Sequence, residues 1–202
     1  MPILACARQC LGAKIELATM PHHTTPLCQG PNPWNSLRHS AVRQLAWCIG
    51  GSPILEKGAG IDWITGRACR EWLEEYWPQL LILDDNPAPL EDALRAAGPL
   101  LGKRFEALMK WYFESSDQWN LLLSNEVVEV NGRTIGEVDF MLEDRNGVVV
   151  HLEVACKFYL GEAGSQGEWG RWRGLRAEDS LEKKVAKFSR QLDLHRSDWP
   201  KV

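Results

Sequence analysis

Residues 136–160, GEVDFMLEDRNGVVVHLEVACKFYL, are two apolar runs joined by a tight turn, with Glu137, Asp139, Glu153 and Lys157 set inside them. Side chains alternate between the faces of a β-strand, so positions two apart share a face. In the second run Val148, Val150, Leu152, Val154, Cys156, Phe158 and Leu160 form one apolar face, and His151, Glu153, Lys157 and Tyr159 fall on the other. The first run divides in the same way, with Val138, Phe140 and Leu142 opposed to Glu137 and Asp139. Such segments fold as strands with one face on a core. The other face is either wet or chemically active.

Asn131-Gly132 and Asn146-Gly147 separate these runs from each other and from LLLSNEVVEV upstream. Asn-Gly adopts the positive φ angles of tight hairpins, so an antiparallel meander of three strands is expected. Helical patterns flank it. LLGKRFEALMKWYF sets Leu101, Phe105, Leu108 and Tyr112 on one stripe with Glu106 at its edge. EDSLEKKVAKFSRQLDL sets Leu181, Val185, Phe188 and Leu192 on one stripe and Lys184, Lys187 and Gln191 on a second. The expected fold class is therefore mixed α/β (α+β), with a helix, three-stranded meander and helix over residues 98–202.

Upstream, residues 34–97 read as a helical region. One helix follows Ser36 and stops at Gly50-Gly51, and another runs from about Gly66 to Trp77, where Pro78 interrupts it before the acidic turn DDNPAP. Trp47, Trp63, Trp72 and Trp77 are expected to be packing residues. Residues 1–33 read as a mobile lead, and Met20 offers an alternative start. Cys6, Cys10, His22 and His23 lack the spacing of a zinc finger. Six cysteines without a CxxC pair point to a reducing, cytoplasmic setting, and no apolar run is long enough to span a bilayer.

A net charge of −4 excludes a protein that attracts nucleic acid through an overall basic field, so such a contact would need a local patch. Between Glu168 and Arg190 seven basic residues stand against four acidic ones, which supplies one. Acids gather elsewhere, in Glu71, Glu74, Glu75, Asp84, Asp85, Glu91 and Asp92, so the two ends are expected to face different partners. Within the patch, EWGRWRG offers Trp169 and Trp172 for stacking on bases, and Arg171, Arg173 and Arg176 for phosphates. Equally, the tryptophans could close the loop over the sheet.

With neighbouring strands about 4.8 Å apart, Asp139 and Glu153 would converge on one ion if the register sets them opposite each other. Helix, three strands and helix, with GEVDF on the second strand and HLEVACK on the third, resemble the PD-(D/E)XK, restriction-endonuclease-like nuclease superfamily over about Pro99 to Leu194. GEVDF and HLEVACK look especially like its Holliday-junction-resolvase-type members, and the branch would be an uncharacterised bacterial one. The resemblance implies Asp139 and Glu153 as ligands of Mg²⁺ or Mn²⁺, Glu106 as the acid of the first helix, and Lys157 as the catalytic lysine. Glu137 and Glu106 would complete a second metal shell. Lys184 and Gln191 match helical positions that face such sites, and Arg171, Arg173, Arg176 and Lys187 are basic residues available to nucleic acid.

The expected activity is metal-dependent phosphodiester hydrolysis, on DNA ahead of RNA, with a homodimer left open and no membrane partner. A divalent cation held by hard oxygens makes a bound water nucleophilic and stabilises the anionic transition state. Val154 would add its carbonyl. Lys157 would act electrostatically, and His151 is expected to be a surface neighbour. Two residues depart from the pattern, and the first of them motivates an alternative, a degenerate nuclease-fold module that binds nucleic acid or a protein without cutting. Ala155 stands where the family lysine usually does, and Val138 stands where a proline does. The fold's usual fourth strand is also missing from HRSDWPKV, so either the chain is truncated at its C-terminus or that strand comes from elsewhere. A purely structural module built on the Trp-rich helical region is a third reading.

Overall fold

A computed structural model describes residues 2–8, 32–130, 132–161, 168–176 and 178–197. The fold is mixed α/β. Five strands, β1 (Pro2–Arg8), β2 (Asp62–Trp63), β3 (Trp119–Val130), β4 (Arg133–Asp144) and β5 (Val149–Cys156), form one sheet in the order β2-β1-β5-β4-β3. Every neighbouring pair is antiparallel. Four helices, α1 (Ser40–Gly50), α2 (Gly66–Asp85), α3 (Ala88–Ala97) and α4 (Leu101–Ser115), precede β3, and α5 (Leu181–Ser197) closes the chain. A separate two-stranded ribbon, β6 (Leu160–Gly161) with β7 (Trp172–Arg173), lies between β5 and α5.

Both turns of the meander depend on positive φ, +73° at Gly132 and +77° at Gly147, a region that costs glycine nothing. At the second turn the Asp144 carboxylate also accepts from the amides of Asn146 (2.8 Å) and Val148 (2.9 Å), pinning the β4–β5 register. Asn131 lies outside the described residues.

Phe140, Leu142, Val150, Leu152 and Val154 meet Phe105, Leu108, Met109, Tyr112 and Phe113 of α4 in the main core, which α1, α2 and α3 complete. The Phe113 and Phe140 rings pack edge to face with centroids 5.1 Å apart. Each such fully buried side chain contributes about 2 kcal/mol of transfer free energy, so α4 is firmly fixed on the sheet. On the opposite face α5 buries Leu181, Val185, Phe188 and Leu192 with Trp63. Trp47, Trp72 and Trp77 pack half-buried against the main core.

The structure corrects four readings of the sequence. Within the supposed mobile lead over 1–33, Pro2–Arg8 is a strand that pairs along its whole length with β5, from Pro2 opposite Cys156 to Arg8 opposite Val150. The sheet thus has five strands rather than three, and an N-terminal strand covers the edge of β5. Cys10, Met20, His22, His23 and Cys28 lie outside the described residues, as does the side chain of Cys6.

Second, α2 continues through Pro78 to Asp85. A proline inside a helix costs about 3 kcal/mol. Here Pro78 sits on the exposed side while Leu73, Tyr76 and Leu80 are buried on the other, so packing holds the helix across the lost hydrogen bond. Third, Asp84 is no part of an acidic surface. It is buried, and its carboxylate accepts from the backbone N–H groups of Arg38 and His39, both at 2.8 Å, tying the end of α2 to the start of α1. Burial opposes its ionisation, but these amides and the His39 and Arg38 side chains outweigh that and bring its pKa down to about 2.

Fourth, Val138 does not share the cluster of Phe140. It packs with Val128 and Met141, next to the irregularity of the β3–β4 ladder at Val128/Glu129 and beyond the end of the β4–β5 ladder. Cys48, Cys69 and Cys156 are buried free thiols. Among the described residues no helix is long and apolar enough to cross a membrane.

Candidate active site

β4 and β5 pair from Glu143 opposite Val149 to Phe140 opposite Leu152, and there the ladder stops. One step further the same register would set Asp139 against Glu153. Two side-chain bonds replace the backbone pair. Asp139 Oδ2 accepts from the Val154 N–H at 2.9 Å, and Glu153 Oε1 accepts from the Asp139 N–H at 3.3 Å. The strands splay at this point without orphaning their amides, and the opening holds two carboxyl groups.

Glu153 is fully buried. Its Oε1 also lies 2.9 Å from His151 Nε2, while its Oε2 is buried with no hydrogen-bond partner among the described residues. Burial pushes both acids up, with the neighbouring Glu153 adding to the effect at Asp139, and each reaches about 7. His151, expected at the surface, is only 1% exposed. The odd face of β5 is not wet, because α5 lies across it. Burial lowers the His151 pKa to about 4, so the ring is neutral at pH 7.

A cleft of about 170 Å³ opens over this pair. The start of α4 contributes Lys103 and Glu106, which form an ion pair at 2.8 Å. Glu137 joins Asp139 from β4, and residues Glu153 to Lys157 form another wall. α5 closes the cleft with Lys184, Lys187 and Gln191. Thus Glu106, Glu137, Asp139, Glu153, Lys157, Lys184, Lys187 and Gln191, all singled out in the sequence, line a single cavity. Arg171, Arg173 and Arg176 are not among its lining residues. They stand exposed on the neighbouring ribbon, where Arg171 pairs with Glu168 at 3.3 Å.

The lysines differ in their surroundings. Lys157 follows the last residue of β5, and its ammonium donates to Asp179 at 2.6 Å. Lys184 lies over the Phe188 ring, 4.0 Å from its centroid. Burial first, and the charge of Lys187 next, lower its pKa to about 8 against the opposing pull of Asp139 and Glu153. Lys184 is therefore the cation most strongly coupled to the carboxyl pair. The sequence placed it on the correct helical stripe but could not show that the stripe meets the acids. Lys103 was not anticipated at all. Its one available signal was its position two residues after Leu101, at the first turn of the helix that carries Glu106.

Helix α5 is seated by Gly136. A β-carbon at that position would run into the Leu194 side chain, and three residues earlier on the helix Gln191 Nε2 donates to the Glu137 carbonyl at 3.0 Å. Gly136→Val is expected to lift the end of α5 from β4 and lower stability by about 1–3 kcal/mol, read as a reduced denaturant midpoint at unchanged slope. Gly136→Ala should show the same effect in milder form.

Among the described residues no three His, Cys, Asp or Glu side chains form a metal-holding group. The donors that remain are hard: Asp139, Glu153 with its unpartnered Oε2, and main-chain carbonyls such as that of Val154. Such a set suits Mg²⁺ or Mn²⁺ rather than a soft metal, and a buried and a half-buried acid with raised pKa values are what a cation would relieve. Searches of curated proteins and of solved structures returned no match. Residues 43–200 match the model of a domain of unknown function, DUF1853, and so take in α2 to α5, the meander and the whole cleft. The chain belongs to the DUF1853 family.

Proposed function

We propose that the cleft is the active site of a metal-dependent nuclease that hydrolyses phosphodiester bonds, in DNA ahead of RNA, on a restriction-endonuclease-like core. The observation that carries this reading is the pair Asp139 and Glu153, brought face to face where their strands splay, with an amine-bearing helix on one side and an acid-bearing helix on the other. Support also comes from the element order, α4 followed by β3, β4 and β5 and then α5, and from β1, which takes up the free edge of β5.

Asp139, Glu153 and a main-chain carbonyl would hold Mg²⁺ or Mn²⁺. When bound, such an ion supplies a nucleophilic water near neutral pH and neutralises charge on the phosphoryl oxygens. The protein's own part is positional. Two donors on Glu153 Oε1 fix that carboxylate with Oε2 free, and the Val154 amide fixes Asp139. Lys184 sets a positive charge against the oxygens of a phosphate entering the cleft. Lys103, paired with Glu106, does the same from the opposite rim.

The test is incubation of the full chain with supercoiled, linear duplex and single-stranded DNA and with RNA, in Mg²⁺ and in Mn²⁺. Cleavage that requires the metal and disappears in Asp139→Asn is expected. All substrates left intact in both metals would overturn the reading. Ala155 in the usual lysine position and the Lys157–Asp179 pair favour one rival, a fold that binds nucleic acid without cutting. Equal binding by the parent and Asp139→Asn, with no cleavage by either, would establish it.

A further inference from the structure

Beyond Cys156 the chain leaves the main sheet and presents an unusual surface. Phe158 is 58% exposed and Leu160 81% exposed, one and three residues after the cleft residue Lys157. Leu160 pairs with Arg173 across the β6–β7 ribbon, and Leu175, 89% exposed, and Arg176 come next in the chain. The ribbon's tryptophans turn the other way. Trp169 lies against Gly58 and Trp172 against Gly161, and both pack against the cluster of Phe188. Apolar side chains are thus offered to solvent beside arginines, on a ribbon that the Lys157–Asp179 ion pair anchors to the cleft.

Leaving one Phe and two Leu in water forgoes burial that a partner would recover, and arginines interleaved with them specify an anionic partner. We propose that the β6–β7 ribbon binds an unpaired, single-stranded segment of nucleic acid and leads it into the cleft. The proposal rests on the nuclease reading above and names its substrate class. Phe158 offers a ring to a base, Leu160 and Leu175 cover its edges, and Arg173 and Arg176 meet the flanking phosphates. In a duplex the faces of the bases are already stacked on their neighbours, so Phe158 would gain nothing there. The acids of the cleft also tolerate the lower charge density of a single strand better than that of a duplex.

Binding of a labelled single strand of about 16 nucleotides, and of the blunt duplex of the same sequence, is measured with the full chain in EDTA, which prevents metal-dependent cutting. The strand is expected to bind more tightly than the duplex. Phe158→Ala should weaken the strand about tenfold at unchanged melting temperature, because the side chain is exposed. Arg173→Ala with Arg176→Ala should make the dependence of log affinity on log salt shallower by about 1.4.

Parental strand affinity in Phe158→Ala, or tighter binding of the duplex, overturns the inference. The nuclease reading still stands in that case if the parent cleaves with Mg²⁺. Capture by anionic vesicles that Phe158→Ala abolishes, with strand binding unaffected, likewise overturns it in favour of a membrane surface. Absence of both binding and cleavage of every nucleic acid overturns this inference and the nuclease reading together.

Discussion

Asp139→Asn is expected to make the metal-free protein more stable at pH 8 while removing its response to Mg²⁺. Both carboxyls of the pair have folded pKa values raised to about 7, from ordinary values of 3.8 for Asp and 4.5 for Glu. Between about pH 4 and 7 the folded state keeps protons that the unfolded chain has released. Stability from this pair is therefore fully present below about pH 4, falls as the pH rises through that window, and levels off above about 7. At pH 8 the native state carries two adjacent charges, the half-buried Asp139 and the fully buried Glu153 with one oxygen unpartnered.

Asparagine keeps an oxygen to accept from the Val154 amide and discards the charge. The expected gain is about 3 kcal/mol, or a melting temperature higher by roughly 5–10 °C, shrinking towards zero at pH 4. Glu153→Gln should behave alike, since its Oε1 can still accept from the Asp139 amide and from His151. In the parent, millimolar Mg²⁺ or Mn²⁺ should raise the melting temperature at pH 8 by mass action on the folded state, and in both variants it should not. Thermal melts at pH 4.5, 6 and 8, with and without the metal, read both effects. A variant less stable than the parent at pH 8 would show that the charged pair is a structural asset instead of a cost carried for function.

The alternation in residues 136–160 made the strands and the core positions Phe140, Leu142, Val150, Leu152 and Val154 legible, and it made the meeting of Asp139 with Glu153 conditional on register. It missed that Val138 joins another cluster and that Phe158 and Leu160 lie past the strand end in solvent. Where contacts are remote in sequence, legibility ended. PILACAR carries no turn signal towards β5, its partner some 150 residues away, so it read as a lead. His151 read as wet since the strand pattern cannot show that α5 covers that face. Pro78 read as a stop because its local cost is visible in the sequence, whereas the burial of Leu73, Tyr76 and Leu80 that outweighs it is not. Strand spacing put Lys157 on the face of Glu153, but it could not say that the strand ends at Cys156 or that Asp179 holds the ammonium.

That last difference yields the second large effect. Lys184→Met is expected to lower metal-dependent cleavage by about 10²- to 10³-fold, the usual consequence of deleting one charge that stabilises a phosphoryl transition state. Lys157→Met should change it by less than about fivefold, since its ammonium is already engaged by Asp179. The reason lies in the surroundings of the two amines. Lys184 is part-buried, which lowers its pKa to about 8, and Asp139 and Glu153 favour its charged form against that cost. A part-buried ammonium coupled to the acids is directed at an entering phosphate, whereas the ammonium of Lys157 is already screened by Asp179. Methionine matches the apolar length of the lysine and keeps the packing on Phe188, so a loss of rate at unchanged melting temperature assigns the effect to the charge. Equal losses from both substitutions would mean that the rate depends on the ribbon tied down by Asp179, and a loss from Lys157→Met alone would return the catalytic role to the residue nearest the family's motif.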